Sequence, residues 1–120
     1  MSIISINADQ FDDILCEHEC VLVDFWAPWC EPCQQMDKIL QKVADEMPDL
    51  AIARVNIDEA KSLVDEFQIQ SVPRLLVIRS KVILCDEVGL IPHSALIDLL
   101  KRVMALTEQD IEQVRSSAAE

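Results

Sequence analysis

The sequence predicts a single α/β domain with a mixed central sheet and helices on both faces. Three observations carry that prediction. The chain has 120 residues, 51% of them apolar, which is the size and composition of one folded domain. A short, nearly continuous apolar run, VLVDFWA at 21–27, precedes a stretch whose apolar positions switch to helical spacing. Later, VPRLLVIR and VILCDEV are separated only by Ser80-Lys81, too close for a helical crossover, so they pair as a hairpin. A strand–helix–strand unit followed by a hairpin puts parallel and antiparallel pairs in one sheet.

Each element has its own signal. Asn7 and Gln10 have the spacing of a capping box, and Ile6 and Phe11 that of a hydrophobic staple, so a first helix is expected over 8–17. The run 21–27 is rich in β-branched and aromatic residues and reads as a buried strand, where the charge of Asp24 is out of place. Cys33, Met36, Ile39, Leu40, Val43, Ala44 and Met47 form one face of a helix that Pro48 ends. LAIARVNI at 50–57 is a second strand, and Asp58 is expected to cap a short helix with Leu63, Val64 and Phe67 inward. After the hairpin, Pro92 opens a helix whose Leu96, Leu99, Leu100 and Val103 share a face. The predicted order is helix, strand, helix, strand, helix, hairpin, helix. Residues 1–105 are assigned to the domain and 106–120 to an acidic extension. There Thr107 is expected to cap a short helix before a disordered end, either as a solvated tail or as a partner-binding extension.

The charge balance excludes some partners. Ten Lys and Arg face 22 Asp and Glu, a formal charge of -12, so nucleic acid and anionic membrane surfaces are poor partners. No apolar run reaches the roughly 18 residues of a membrane span, and the start of the chain does not resemble a secretory signal. A cytoplasmic, reducing location is expected. There, five cysteines are reactive, metal-binding or buried thiols rather than structural disulfides.

The chemistry is expected between the first strong strand and the long helix, at Trp29-Cys30-Glu31-Pro32-Cys33. Two cysteines two residues apart can close a small disulfide ring, although the same spacing also suits two buried thiols or half a metal site. Entry into a helix favours redox work, because unpaired backbone N–H groups and the positive end of the helix dipole stabilise a thiolate. Cys30 is the candidate nucleophile and Cys33, one turn further in, the shielded resolving thiol. Pro32 fits an early helix position that needs no N–H.

VDFWAPWCEPC resembles the active-site segment of the thioredoxin family, W-C-G-P-C after a strand carrying a buried Asp. The similarity continues through ARVNID at 53–58, SVP at 71–73 and VG at 88–89. The resemblance implies a thioredoxin-like fold and a thiol–disulfide oxidoreductase that reduces protein disulfides through Cys30 and Cys33. Asp24 would be the buried carboxylate that handles the proton of Cys33, with a pKa raised by burial. Pro73 would be a cis-proline facing the disulfide. Trp29, Glu31, Pro32, Val72, Pro73 and Gly89 would frame the substrate groove, and Arg54, where the family usually has a lysine, would tune Asp24. It further implies a monomer without a bound cofactor or metal, whose partners are protein disulfides and a flavin-containing, NADPH-dependent thioredoxin reductase. A thioredoxin-fold binding or chaperone-like module is the alternative, and the intact C-x-x-C argues against it.

Several positions depart from the family pattern. Glu31 replaces a glycine and puts a negative charge beside the nucleophile, which should raise the Cys30 pKa and make the disulfide more reducing. Lys38 replaces a helix-kinking proline. Arg74, following the cis-proline, is expected to favour acidic substrates. Ser80-Lys81 lacks the usual Asn-Gly hairpin signal. Outside the pair, Cys16, His18 and Cys20 with Cys30 and Cys33 match no common zinc module. Cys16 and Cys20 are read as packing or surface thiols or as a second, regulatory disulfide, Cys85 as a half-buried strand residue, and His93 as a first-turn helix residue without a role.

Overall fold

A computed structural model describes residues 3–119. Met1, Ser2 and Glu120, which fall in the two predicted segments 1–105 and 106–120, lie outside the described residues. The strands are β1 (Ile3–Ile6), β2 (Cys20–Trp26), β3 (Ala51–Asn56), β4 (Arg74–Arg79) and β5 (Val82–Val88). The helices are α1 (Phe11–Glu17), α2 (Glu31–Glu46), α3 (Lys61–Phe67), α4 (His93–Ala105) and α5 (Glu108–Ala119). The sheet order is β1-β3-β2-β4-β5. β3 runs parallel to both β1 and β2, while β4 is antiparallel to β2 and β5. This is the expected mixed sheet.

Alternation along β2 sorts the core into two layers. Val21, Val23 and Phe25 face Phe11, Ile14 and Leu63 of α1 and α3, while Leu22 faces Met36, Leu40, Leu96 and Leu100 of α2 and α4. A period of two places Asp24 on the same face as Leu22, towards α2. Its neighbour in β3 is Arg54 and in β4 Leu75.

Several expectations change. β1 is an additional strand at the edge of the sheet; its four residues are buried only at one end, too short and too weakly patterned to register as a strand. The capping box of Asn7 and Gln10 is present, but it opens a 3-10 turn over Ala8–Gln10 that runs into α1. Asp58 does not cap α3: Ala60 is the N-cap, and no side chain caps that helix. The hairpin turns without glycine because Ser80 and Lys81 both adopt positive φ, 52° and 65°, as a two-residue primed turn demands. Pro92 is the N-cap of α4 rather than its first residue, and His93 pairs there with Glu46 at the end of α2.

The segment beyond 105 is a docked helix. Thr107 Oγ1 accepts from Asp110 N and Asp110 Oδ2 accepts from Thr107 N, at 3.1 and 3.0 Å, so the expected cap is reciprocal. Ile111 is fully buried, and an Arg115 guanidinium nitrogen donates to the Ser80 carbonyl at 2.8 Å. These contacts hold α5 against the β4–β5 hairpin, and the helix extends through Ala119 where a disordered end was expected.

Candidate active site

β2 ends at Trp26, and Ala27 to Cys30 lead from its end into α2 through a turn closed by Cys30 N donating to Ala27 O, 3.1 Å. Cys30 is the N-cap of α2, in extended conformation, and Pro32 lies in the first turn. The expected helix-start placement therefore holds. The Cys33 N–H donates to Cys30 Sγ at 3.2 Å, one of the amides a helix start leaves unpaired. That donor, with the helix dipole, favours negative charge on Cys30 more than on Cys33.

Cys30 and Cys33 are joined as a disulfide, with Cα atoms 5.3 Å apart. Both cysteines are buried, Cys30 at 5% exposed slightly less completely than Cys33 at 1%. Ala27, Trp26, Ile57 and Val72 pack around the pair. The Val72–Pro73 peptide is cis, and the Val72 carbonyl oxygen lies 3.7 Å from Cys30 Sγ. The Pro73 carbonyl accepts from Gly89 N at 2.8 Å, and Gly89 has φ +96°, a conformation that favours glycine. Val72, Pro73 and Gly89 are thus linked in one rim beside the disulfide. Trp29, next to Cys30 in the chain, is 67% exposed, its indole N–H donating to Asp58 Oδ1 at 3.3 Å.

Asp24 is fully buried. Burial pushes its carboxyl up to about 6, against the pull of the charge and hydrogen bond of Arg54, and the charge of Asp37 adds to the upward push. Arg54 Nε donates to Asp24 Oδ2 at 3.1 Å, and its Nη1 reaches Asp37 Oδ1 at 3.2 Å. The guanidinium carbon sits 4.4 Å over the Trp26 ring, a cation–π contact. Asp24 Oδ1 and the Trp26 indole N–H have no partner among the described residues. Cys33, Asp37 and Arg54 line one cleft of 320 Å³.

Arg74 does not offer a free charge to acidic substrates. Its Nε and Nη2 grip both carboxylate oxygens of Asp86, at 2.9 and 2.6 Å, and Nη1 donates to the carbonyls of Phe67 and Gln68. Its positive charge is spent inside the fold, and the Asp86 carboxyl is held below the usual carboxylate range by the Arg74 hydrogen bonds. Cys16, Cys20 and Cys85 are free thiols, so no second disulfide joins Cys16 to Cys20. Among the described residues no group of three or more His, Cys, Asp or Glu side chains is placed to hold a metal ion, and no helix is long and apolar enough to cross a membrane.

Two site residues escaped the sequence reading. Asp58 was assigned to a helix cap and instead tethers Trp29. Asp37 had a readable signal: it stands one helical turn after Cys33, the spacing that places two side chains on one face.

A family model for thioredoxin matches residues 2–102. The chain belongs to the thioredoxin family. With its cysteine pair at disulfide distance, it is an oxidoreductase of the thioredoxin type, acting on thiols and disulfides. It is 34% identical over 119 residues to a protein of Streptomyces coelicolor described as "Putative thioredoxin 2", covering 99% of this chain and 87% of that one. It is 36% identical over 97 residues to a thioredoxin of Acidithiobacillus ferridurans, covering 79% and 90%. A solved mutant thioredoxin of Halobacterium salinarum superposes with a TM-score of 0.82 at 28% identity, covering 88% of this chain and 94% of that one.

Proposed function

We propose that this thioredoxin reduces disulfides in other proteins by a two-step exchange between Cys30 and Cys33. In the reduced form the Cys30 thiolate attacks one sulfur of a substrate disulfide. That S–S bond breaks, a Cys30–substrate bond forms, and the second substrate sulfur leaves as a thiolate. Cys33 then gives its proton to Asp24 and attacks Cys30 Sγ, which breaks the Cys30–substrate bond, releases the attacked substrate sulfur as a thiolate and restores the Cys30–Cys33 disulfide; the substrate thiolates take protons from Asp24 and water. Two electrons pass to the substrate. A flavin-containing thioredoxin reductase drawing on NADPH would return them, and the chain itself binds no cofactor in this cycle. Trp29, Glu31, Pro32, Val72, Pro73 and Gly89 form the groove, with the Val72 backbone holding an extended segment across the sulfurs. The charge of -12 and the reducing chemistry fit a cytoplasmic monomer.

The observation that carries this reading is the asymmetry of the pair. Cys30 receives a helix-start amide and faces the Val72 carbonyl, while Cys33 lies one turn into the helix and is the more deeply buried of the two. The test is reduction of insulin by the full chain with dithiothreitol or a thioredoxin reductase as electron source. Wild type accelerates insulin precipitation, Cys30→Ser abolishes the acceleration, and Cys33→Ser accumulates a mixed disulfide on Cys30, visible as a mass adduct. A wild-type chain that holds clients without reducing them sinks the reading and leaves the binding module in its place.

A further inference from the structure

Behind the disulfide one guanidinium, that of Arg54, pairs with two carboxylates. Arg54 contributes Nε to Asp24 and Nη1 to Asp37 while its guanidinium lies on the Trp26 ring. Asp24 therefore receives a single bond, to Oδ2, and its Oδ1 has no donor among the described residues. A guanidinium can grip a carboxylate with two parallel bonds, as Arg74 grips Asp86 in this same chain. Arg54 does not do so: only its Nε meets Asp24, while Nη1, on the other side of the guanidinium, pairs with Asp37 on α2. Resting on the thiol–disulfide cycle proposed above, we propose that Asp37 is a positioning residue for the Cys33 proton transfer: it shares the guanidinium that faces Asp24 and so leaves Asp24 a stronger base.

The surroundings of Asp24 are few enough to assign the effect. Arg54 faces it from β3, Leu75 is its neighbour in β4, and Cys33, Asp37 and Lys38 border the adjoining cleft from α2. Lys38 is exposed and its charge is screened by water. Asp37 opposes Arg54 by its own negative charge and by pairing with the same guanidinium. Both keep proton affinity on Asp24, in the direction already noted for its raised carboxyl. Loss of Asp37 leaves Arg54 stacked on Trp26 with Asp24 as its one paired carboxylate, which favours the carboxylate over the acid. A weaker base accepts the Cys33 proton more slowly as the Cys33 sulfur attacks Cys30 Sγ.

The experiment follows the Asp24 side-chain carboxyl by carbon NMR through a pH titration of the full, oxidised chain. Wild type, Asp37→Asn and Asp37→Glu are compared. Asp37→Asn is expected to lower the titration midpoint, and Asp37→Glu to return it towards wild type. In the reduced chain, Asp37→Asn is expected to slow resolution of a preformed Cys30 mixed disulfide by about two- to threefold at neutral pH, with its pH profile displaced downward to match. A midpoint that stays or rises in Asp37→Asn, in a variant whose amide spectrum is native, overturns the proposal. Arg54→Met gives the opposite sign, a higher midpoint, and a fall there likewise overturns it. Because the oxidised titration needs no substrate, it reads the clamp even where insulin reduction fails, so the two proposals fall separately.

Discussion

Arg54 and Arg79 lie beside opposite ends of β2, across from Asp24 and Cys20 respectively, and both are mostly buried, with 16% and 13% of their side chains exposed. Their surroundings differ in how completely they are satisfied. Arg79 gives Nε to Glu19 at 2.9 Å and Nη1 to the carbonyls of Val103, Met104 and Leu106, with Glu108 3.8 Å away. Those carbonyls belong to the end of α4, where a helix leaves acceptors unpaired and favours positive charge. At this end one cation closes a helix, fixes the start of α5 and ties both to the residue before β2. At the other end one cation is shared between two carboxylates, and a buried oxygen goes without a donor. Buried polar groups are normally paired, so the unpaired end is where the fold gives up stability for chemistry, and the paired end is where it holds itself together.

Removing each arginine is the most direct way to break that comparison. Arg79→Met should cost about 3 kcal/mol, since three carbonyls at the end of α4, two of them part-buried, lose a charged donor at once. Urea unfolding should show a cost nearly equal at pH 5 and pH 8, with α5 becoming the first site of protease cleavage. Arg54→Met should behave differently, because Asp24 can take up a proton when its partner goes. Its cost should be small at pH 5 and grow towards pH 8. Equal pH dependence for the two variants would erase the distinction.

Asp24→Asn sharpens the same point with a smaller effect of opposite sign. An Asp whose carboxyl rises from 3.8 to about 6 on folding holds a proton in the native state that the unfolded chain has already released. Below 3.8 both states are protonated and no penalty exists. Between 3.8 and 6 the native state loses stability as pH rises, and above that range the penalty is constant. Its size is on the order of 2 to 3 kcal/mol. Asp24→Asn should therefore stabilise the chain by about 2 kcal/mol at pH 8 and by almost nothing at pH 4, read from urea midpoints at unchanged m-value. A variant less stable than wild type at pH 8 would mean that the Arg54 pairing outweighs the burial.

The two ends also differ in how far the sequence disclosed them. The disulfide end was legible because its signals are local: a carboxylate inside VLVDFWA, a W-C-x-P-C at a change of period, and Val-Pro before a hairpin. Each states its own burial or geometry within a few residues. Arg79 carries no such mark. Its partners come from residues 19, 103, 104, 106 and 108, and a lone arginine at the end of a strand pattern does not reveal which helix will end against it. The docking of α5 was hidden for the same reason, since a single buried Ile111 in a polar helix makes no stripe. Arg74 misled in the opposite direction. Its position beside the cis-proline suggested a free charge, and only the folded hairpin brings Asp86 twelve residues back to neutralise it.

The smallest expected effect is also at the disulfide end and tests whether an exposed charge matters there at all. Glu31 is the first residue of α2, next to Cys30, and a carboxylate beside a developing thiolate disfavours it. Being exposed, it acts through water and is partly screened. Glu31→Gln removes the charge with little change of shape, and Glu31→Gly restores the residue usual in the family. Both should lower the Cys30 titration midpoint by about a few tenths of a pH unit at low salt, measured from thiolate absorbance, with the difference shrinking as salt is added. The disulfide potential should move to slightly more oxidising values in step, since a better stabilised thiolate favours the reduced pair. A drop in Glu31→Gly alone would assign the effect to backbone freedom at the helix start rather than to charge. An unchanged or raised midpoint in both would leave the amide of Cys33 as the dominant influence on that sulfur.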